Sequence, residues 1–460
     1  MSLSALSGVL IFYFPFPDMA VRGVLVLCLW MVVCCNSQDL SCRTTLCPQG
    51  YECTMENGKP NCIPQKVDVC GASGDPHHTT FDARYFDFMG TCTYTLVNVT
   101  KDAEKSLKRF TVLAKNDNRG NVAVSYVALV TFKTSGYTID IKKGEVGSVR
   151  VNNVMSLLPV TLNSGTDSMI TIFQSGNTAI IQFTTAVRIS YDWNSVVRIE
   201  LTRIYSKNVE GMCGNYNQDP DDDFQIPSGS QAPNAIEFGK SWKVDDGTEC
   251  WDDCNGPCLT CLAKLAETFK TDDYCGILTK KDGPFSECHA LVDPSRYMDN
   301  CVYDVCLNDG DRKLLCEAIK DYVDTCQRAG AKISDWRKVA GCPLDCPENS
   351  RYVLCGRECA PTCQEQESSL CSKLCVEQCQ CDPGFLLIGG KCLSKENCGC
   401  FFNGRSYAPN QSFWGDDTCT QKCICNEKSK EVECSRASCS VREECSVRDG
   451  LRDCYPPIFA

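Results

Sequence analysis

The stretch that most constrains the fold runs from Gly211 to Phe224 and reads G-M-C-G-N-Y-N-Q-D-P-D-D-D-F. It combines one cysteine with two asparagines and four aspartates, and hard cations such as Ca²⁺ take their ligands from carboxylate, amide and carbonyl oxygens. The candidate ligands are Asn215, Asn217, Asp219, Asp222 and Asp223. The first three have the spacing of an EF-hand-like loop, but the glycine and glutamate of the EF-hand consensus are missing. Two interpretations stay open from these residues: a calcium-binding loop and a solvated acidic turn.

The N-terminal residues predict secretion. The chain has 460 residues, enough for two to four domains, and 39 of them are cysteines. Within residues 19–37 a basic start at Met19 and Arg22 precedes the apolar run Gly23–Val33, and small residues follow it. This pattern predicts a signal peptide, with residues 1–18 as an upstream extension. No later apolar run reaches the length of a membrane span, so we expect a soluble, extracellular product.

The cysteine content and charge narrow the class further. Removing the three cysteines of the signal leaves 36, and an even number in an oxidising compartment predicts a disulfide framework. Asn98 and Asn410 begin glycosylation sequons that suit surface positions. The net charge of −12 argues against nucleic acid or an anionic membrane as a partner.

One cysteine spacing occurs at both ends of the chain. Residues 42–64 contain C-x4-C-x5-C-x8-C from Cys42 to Cys62, and the same spacing returns from Cys434 to Cys454. A chain that opens and closes on one small module predicts one period of a tandem array.

Residues 67–250 contain only four cysteines and alternate in strand fashion. The predicted strands are Arg109–Lys115, Val122–Phe132, Tyr137–Ile141, Ser148–Val151, Met169–Gln174, Ala179–Phe183, Val187–Tyr191 and Val196–Tyr205. Short strands with turn residues between them predict an antiparallel β-sandwich.

The remaining chain is cysteine-rich. Residues 251–342 predict a helical module, with helices over Leu262–Phe269 and Arg312–Gln327. Within it, Cys258-x2-Cys261 is interpreted as two structural half-cystines rather than a redox or zinc motif. Residues 343–398 and 399–460 hold too few apolar residues for a core and must be held together by disulfides. The predicted fold class is mainly β, with a small helical cystine-rich module: an antiparallel sandwich followed by disulfide-stapled small modules.

Several motifs resemble one family. The segment Cys70–His77 reads C-G-A-S-G-D-P-H, T-F-D follows at Thr80–Asp82, F-M-G-T-C-T-Y stands at Phe88–Tyr94, and C-G-N-Y-N begins at Cys213. Together they resemble the von Willebrand factor type D domain. Residues 250–342 look like its eight-cysteine module, and Cys346–Cys398 looks like the trypsin-inhibitor-like module. The arrangement is similar to the repeats of IgG Fc-binding protein and zonadhesin, where a short cystine module precedes each G-D-P-H.

The resemblance implies a calcium site. In such domains the ion is held by the Asn/Asp loop and by an aspartate of the T-F-D stretch. The residues that match are Asp82, Asn215, Asn217, Asp222 and Asp223, with Asp219 contributing its backbone carbonyl. We expect such an ion to tie the first strands to a loop about 130 residues later.

The resemblance also implies covalent features. It pairs Cys70 with Cys213 and Cys92 with Cys250, and it implies autocleavage between Asp75 and Pro76. Asp-Pro bonds are acid-labile because the proline nitrogen is a good leaving group and the aspartate can attack its own carbonyl to give an anhydride. The alternative interpretation is a simple Asp-Pro turn with an exposed His77.

Two functions follow from these expectations. The first is a secreted, calcium-binding structural or adhesive glycoprotein, one repeat of a mucus, matrix or gamete-coat array. Its expected partners are extracellular glycoproteins or mucins, with self-association through disulfides. The second is a serine protease inhibitor, in which Lys373 between Cys371 and Cys375 would enter a trypsin-type pocket. An enzyme is not predicted, because His77, His78 and His289 are the only histidines available for general-base chemistry.

Overall fold

The computed structural model describes residues 4–6, 9–11, 42, 45, 47, 51–56, 58–64, 66–118, 124–163, 169–253, 260–364, 371 and 374–457. The chain divides into two compact units, residues 1–65 and residues 66–460. In the first unit, strands β1 (Ser4–Leu6) and β2 (Val9–Ile11) pair antiparallel, as do β3 (Tyr51–Glu56) and β4 (Lys59–Pro64). The disulfides Cys42–Cys53 and Cys47–Cys62 hold the β3–β4 hairpin to the residues before it.

The second unit is built mainly from strands. They are β5 Val67–Ser73, β6 His77–Thr79, β7 Tyr85–Asp87, β8 Thr93–Val99, β9 Phe110–Asp117, β10 Tyr126–Thr134, β11 Tyr137–Lys142, β12 Ser148–Val151, β13 Val154–Leu157, β14 Val160–Asn163, β15 Met169–Ser175, β16 Thr178–Phe183, β17 Val187–Tyr191, β18 Val197–Thr202, β19 Val209–Glu210, β20 Lys243–Val244, β21 Ser350–Arg357, β22 Cys375–Cys381, β23 Phe385–Ile388, β24 Lys391–Ser394, β25 Cys400–Phe402, β26 Arg405–Tyr407, β27 Ser412–Trp414, β28 Gln421–Cys425, β29 Val432–Arg436, β30 Glu444–Arg448 and β31 Leu451–Tyr455.

Two antiparallel sheets enclose the main core. One has the order β14-β15-β16-β17-β18-β5-β6-β7, and the other has the order β19-β8-β9-β10-β11-β12-β13-β26-β25, with β20 also paired to β8. Aromatic side chains of the two sheets meet between them, since Phe183 packs edge-on against both Phe110 and Phe132. Alternate residues such as Ile139 and Ile141 are fully buried, as the period of two requires. The predicted fold class, mainly β and antiparallel, is confirmed.

The sheets contain strands that the sequence pattern did not predict. Strands β13 and β14 lie on either side of Pro159, where short runs give too little alternation to recognise. Strands β5, β6 and β7 were also not predicted, although β5 is central: it pairs with β18, so that Cys70 lies opposite Ile199. This pairing places the C-G-A-S-G-D-P-H motif beside β18, the last strand in chain order of the same sheet.

The helices are α1 Ala235–Ser241, α2 Ala263–Phe269, α3 Ser295–Leu307, α4 Arg312–Arg328 and α5 Trp336–Ala340. Helices α2 to α5 surround a second core with five disulfide half-cystines fully buried in it: Cys275, Cys288, Cys301, Cys326 and Cys342. Asp311 caps α4 by accepting a hydrogen bond from the Lys313 N–H, and the helix stops just before Gly330, whose φ is +77°. The predictions of α2 and α4 agree with the structure to within one residue, whereas α3 was not predicted.

The small modules fold back on the sandwich. Strand β26 pairs with β13 of the sandwich, where Ser406 lies opposite Leu157. The buried Glu377 carboxylate of β22 accepts hydrogen bonds from Trp336 Nε1 at 2.8 Å, from Arg337 Nε at 2.8 Å and from the Tyr352 hydroxyl at 2.7 Å. The small modules within residues 66–460 are therefore packed against the sandwich or the helical module and are not joined to them by linkers alone.

Every cysteine in the described part of the chain is in a disulfide, 34 residues in 17 bonds. The two copies of the repeated spacing pair differently. Cys439–Cys454 repeats the Cys47–Cys62 bond, but Cys434 and Cys445 are joined to Cys423 and Cys419 of the preceding hairpins. The same spacing therefore forms a closed module in one copy and is cross-linked to its neighbour in the other. No helix among these residues is both long and apolar enough to cross a bilayer.

Candidate functional site

The acidic turn after Cys213 is shaped by backbone conformations that few residues tolerate. Gly214 has a φ of +77°, and a Cβ there would lie 2.0 Å from the Asp223 Oδ1 atom. Asp219 then caps the 3₁₀ helix Pro220–Asp222 by accepting a hydrogen bond from the Asp221 N–H at 3.1 Å. A capping aspartate followed by proline is a strong local start signal, so the D-P-D-D sequence turns the chain back toward Cys213.

The T-F-D stretch lies against this turn. The Asp82 carboxylate accepts hydrogen bonds from the Asn217 N–H at 2.9 Å and the Gln218 N–H at 2.8 Å. The Thr80 hydroxyl donates to Asp223 Oδ2 at 2.6 Å. Two stretches about 130 residues apart in sequence are thereby held in contact, and Asp223 is completely buried between them.

Neutral groups satisfy the acids of the turn. The side-chain amides of Asn215 and Asn217 each donate to one oxygen of Asp222, at 2.9 and 2.8 Å. Their amide oxygens accept backbone N–H groups within the turn, from Asn217 at 3.1 Å and from Asp219 at 2.7 Å. The turn therefore neutralises none of its carboxylates with a side chain of opposite charge through these contacts.

The carboxylates repel one another. Burial raises the pKa of Asp223 to about 7, and the charges of Asp82 and Asp222 add to that rise. Burial also raises the pKa of Asp82, where the charge of Asp222 acts in the same direction. Buried like charges of this kind are stabilised by a proton or by a cation.

The carboxylate oxygens of the turn do not form a compact coordination shell. Among the described residues, no three carboxylate or imidazole groups bring one atom each within 4.8 Å of the others. The one group within that distance consists of the sulfurs of Cys419, Cys439 and Cys454, which belong to two adjacent disulfides. The acidic turn thus has the donor types of a calcium site, although its carboxylates do not form such a group of three.

The Asp75-Pro76 bond lies in a different environment. Both residues are buried, and the Tyr126 hydroxyl is hydrogen-bonded to the Asp75 carboxyl. His77 is also buried, contrary to the alternative in which it is exposed. Its Nδ1 atom is 2.7 Å from Asp87 Oδ1, and its Nε2 atom is 2.9 Å from Asp304 Oδ1.

These two acids fix the charge of His77. Burial alone would lower its pKa, but the charges and hydrogen bonds of Asp304 and Asp87 raise it to about 10. The next residue behaves in the opposite way, because burial lowers the pKa of His78 to about 3 and its ring is stacked on Phe86. The surroundings therefore favour the charged form of His77 and the neutral form of His78, side by side in one motif. Sequence reasoning missed Asp87 and Asp304, and no motif marks either of them.

Two disulfides enclose both sites. Cys70 is joined to Cys213, and Cys92 is joined to Cys250. The first bond connects the strand before the Asp75-Pro76 bond to the start of the acidic turn. A break between Asp75 and Pro76 would leave the two pieces joined through it.

The other predicted site residues that the structure describes do not join either of these two sites. Asn98 is half-buried and its amide donates to Glu210 Oε1 at 2.8 Å, whereas Asn410 is exposed and donates to Glu427 Oε2 at 2.9 Å. Glycosylation is therefore easier to accommodate at Asn410. Lys373 and Cys258 lie outside the described residues, while Cys261 is bonded to Cys306. His289 contacts the Leu278 carbonyl at 2.8 Å.

Comparison with known proteins assigns the modules. Residues 70–230 match the von Willebrand factor type D domain, 274–343 the C8 domain, 346–398 the trypsin-inhibitor-like cysteine-rich domain and 399–455 the TILa domain.

Three relatives illustrate the similarity. The chain is 43% identical over 423 residues to human (Homo sapiens) IgGFc-binding protein. The matched region covers 91% of this chain and 8% of that protein. It is 35% identical over 424 residues to mouse (Mus musculus) alpha-tectorin, covering 91% and 19%. It is 33% identical over 428 residues to pig (Sus scrofa) zonadhesin, covering 92% and 17%. The chain spans less than a fifth of the length of each of these relatives. It therefore belongs to the family built on the von Willebrand factor type D assembly, with its type D, C8, trypsin-inhibitor-like and TILa domains in that order.

Proposed function

We propose that this chain is a calcium-binding structural and adhesive module of a secreted glycoprotein, one repeat of an extracellular array. The observation that carries the proposal is the acidic cluster of the buried Asp223 and the half-buried Asp82 and Asp222, whose hydrogen-bond donors are neutral. Its position supports the role, because a cation there would hold the start of the sandwich to its end. The fully paired cysteines of the described residues fit an oxidising, extracellular setting.

The residues present fit Ca²⁺. Asp82, Asp222 and Asp223 offer carboxylate oxygens, and Asn215 and Asn217 offer amide oxygens after a rotation that exchanges the amide nitrogen for the oxygen. This hard, all-oxygen donor set is the one that Ca²⁺ takes in proteins. When bound, the ion supplies positive charge that offsets the repulsion among the three acids. Two neutral ligands suit an affinity in the range of extracellular modules, about 10⁻⁴–10⁻³ M.

The partner class follows from the family and from the surface charge. A chain with a net charge of −12 does not favour acidic polymers through charge alone, so calcium-bridged or direct contacts to glycoproteins are proposed instead. One relative is named as an IgG Fc-binding protein, and a glycoprotein ligand of that kind is consistent with this class. We propose no enzymatic action on other molecules.

The adhesive role is tested by binding of the secreted full chain to immobilised mucin and to itself. In 2 mM Ca²⁺, a typical extracellular level on the order of 10⁻³ M, we expect saturable binding that falls when calcium is chelated. Asp82→Ala is expected to reproduce the effect of chelation, whereas Asp221→Ala, a substitution of an exposed neighbour, leaves binding intact. Absence of binding by the wild-type chain to either surface would contradict the adhesive role.

We also propose that the chain cleaves itself between Asp75 and Pro76. The Asp75 side chain is buried beside the bond, which excludes bulk water from the reacting groups. Its carboxyl oxygen would form a bond to its own backbone carbonyl carbon while the bond to the Pro76 nitrogen breaks, and the carboxyl proton passes to that nitrogen. Water then opens the cyclic anhydride to two carboxyl groups.

A reducing gel with mass analysis tests the cleavage. We expect a fragment ending at Asp75 that separates only after reduction, because Cys70–Cys213 spans the break. Asp75→Ala should abolish the fragment. A single full-length band from wild-type protein after incubation at mildly acidic pH would refute self-cleavage.

A further inference from the structure

Asp304 lies near the end of helix α3 in the C8 domain and contacts the type D domain on both sides of the Asp75-Pro76 bond. Its carboxylate accepts a hydrogen bond from the Asp75 backbone N–H and lies 2.9 Å from His77 Nε2. Only 5% of the residue is exposed. A single side chain of the C8 domain therefore contacts both Asp75, just before the bond, and His77, just after Pro76.

The same carboxylate explains why residue 74 is glycine. Gly74 has a φ of +60°, and a Cβ built there would lie 2.2 Å from Asp304 Oδ2. Any side chain would have to displace the carboxylate. Three of the four residues in G-D-P-H thus adjoin Asp304. Gly74 leaves room for the carboxylate because it has no side chain, Asp75 donates its backbone N–H, and His77 contacts it through the ring.

One of the two carboxylates that contact the His77 ring belongs to the C8 domain. Asp87 of β7 faces Nδ1, Asp304 of α3 faces Nε2, and the Tyr303 ring lies edge-on at 5.7 Å. Asp87 has a side chain that is 59% exposed, whereas that of Asp304 is 8% exposed. Because a buried ion pair is screened less by solvent, Asp304 is the stronger restraint on the ring.

A small cavity adjoins this contact. Its volume is about 30 Å³, and its lining includes Ser73, Gly74, His77, Tyr126, Asp304 and Glu317. A cavity of this size, with several polar side chains in its lining, has room for one water molecule. Such a water would lie beside Gly74 and Asp304, one residue from Asp75, and hydrolysis of the anhydride requires a water.

We propose that Asp304 is a positioning residue for the self-cleavage of the type D domain, so that the C8 domain forms part of the cleavage site. The inference rests on the cleavage proposed above. Asp304 takes no part in bond making or breaking. It fixes the backbone of Asp75 and the ring of His77, and so holds the Asp75 carboxyl against its own carbonyl carbon.

The test compares cleavage of full-length secreted variants by the rate at which the fragment ending at Asp75 appears, measured between pH 5 and pH 9. Asp304→Asn keeps the shape of the side chain but loses its charge. We expect cleavage at least tenfold slower and a pH profile displaced to lower pH, because His77 would then lose its proton more readily. The matched control is Asp299→Asn, an exposed aspartate on the same helix, with an unchanged rate and profile.

Two further variants keep the proposal falsifiable. Asp87→Asn removes the other charge from His77 but leaves the contact with the Asp75 N–H, so its effect should be smaller than that of Asp304→Asn. If Asp304→Asn is not secreted, Gly74→Ala disturbs the same contact from the opposite side and should also slow cleavage. Cleavage at the wild-type rate and pH profile in Asp304→Asn, or in Gly74→Ala, would overturn the role of Asp304. An uncleaved wild-type chain would instead refute the cleavage itself.

Discussion

Two buried acidic sites of this protein lie at opposite ends of one short segment, residues 74–82, and they solve the same electrostatic problem differently. At the start of the segment, Asp87 and Asp304 enclose the protonated His77. At its end, Asp82 and Asp223 accept hydrogen bonds from N–H and hydroxyl groups and also contact each other. The first site pairs its acids directly with a histidine, whereas the guanidinium at the second, Arg84, donates to the Pro220 and Asp221 carbonyls and not to a carboxylate.

This difference is the reason we propose a ligand at the second site and not at the first. Burial of a charge is costly unless it is paired, and neutral donors compensate only part of the cost. The His77 site is complete once the C8 domain is docked on the type D domain. We propose that the acidic turn is completed by a proton on Asp223 or by a cation, and calcium is the cation that oxygen donors of this kind favour.

The largest expected effect comes from removing the disulfide that frames both sites. Cys70→Ser combined with Cys213→Ser opens a loop with a sequence separation of 143. Loop entropy predicts a loss of about 4–5 kcal/mol of unfolding free energy. The matched control, Cys439→Ser with Cys454→Ser, opens a separation of only 15 and should cost about 3 kcal/mol. Denaturant unfolding followed by tryptophan fluorescence measures both, and equal losses would show that the long loop has no special role.

A smaller effect is expected at the paired site alone. Gly74→Ala places a methyl group against Asp304 and should destabilise the docked C8 domain by about 1–3 kcal/mol. Gly136→Ala is the matched control, because its φ of +87° also lies in the positive region that strains a side chain, while no atom lies within 4 Å of the added methyl. Thermal unfolding of both variants separates the clash from the strain. A similar shift in both melting temperatures would argue that Asp304 yields easily.

The pH dependence should distinguish the two sites further. The pKa of His77 rises from 6.5 to about 10 on folding, so its contribution to stability is fully present below pH 6.5 and is lost as the pH rises toward 10. We expect the melting temperature of the wild type to fall over this range more steeply than that of His77→Gln. The difference between the two curves is the measurement, because other groups titrate in both proteins. Parallel curves would mean that His77 has no raised pKa.

The sandwich could be predicted from the sequence because its strands alternate cleanly. Strand β11 shows why: Ile139 and Ile141 point inward while their neighbours face outward. Helix α3 was missed because its buried face is made of Cys301, Val302, Val305 and Cys306, in which the cysteines suggested disulfides rather than a helix, and because the buried Asp304 interrupts the apolar pattern.

Neither of the two sites could be predicted from local sequence patterns alone. The contact between Asp82 and the acidic turn was expected only through the family resemblance, since nothing local in T-F-D indicates a partner about 130 residues away. The contact of His77 with Asp304 spans 227 residues and joins two domains. No local pattern encodes such a pairing, so only the folded structure reveals it.

The most direct test of the account is calcium-dependent stabilisation of the full chain. Calorimetric titration and thermal unfolding with and without Ca²⁺ should give a dissociation constant of about 10⁻⁴–10⁻³ M. At a free concentration a hundred times that constant, the stabilisation should reach about 2.7 kcal/mol. Asp82→Ala should abolish both the heat of binding and the stabilisation, while Asp221→Ala retains them. Equal calcium stabilisation in the wild type and Asp82→Ala, or none in the wild type, would contradict the account.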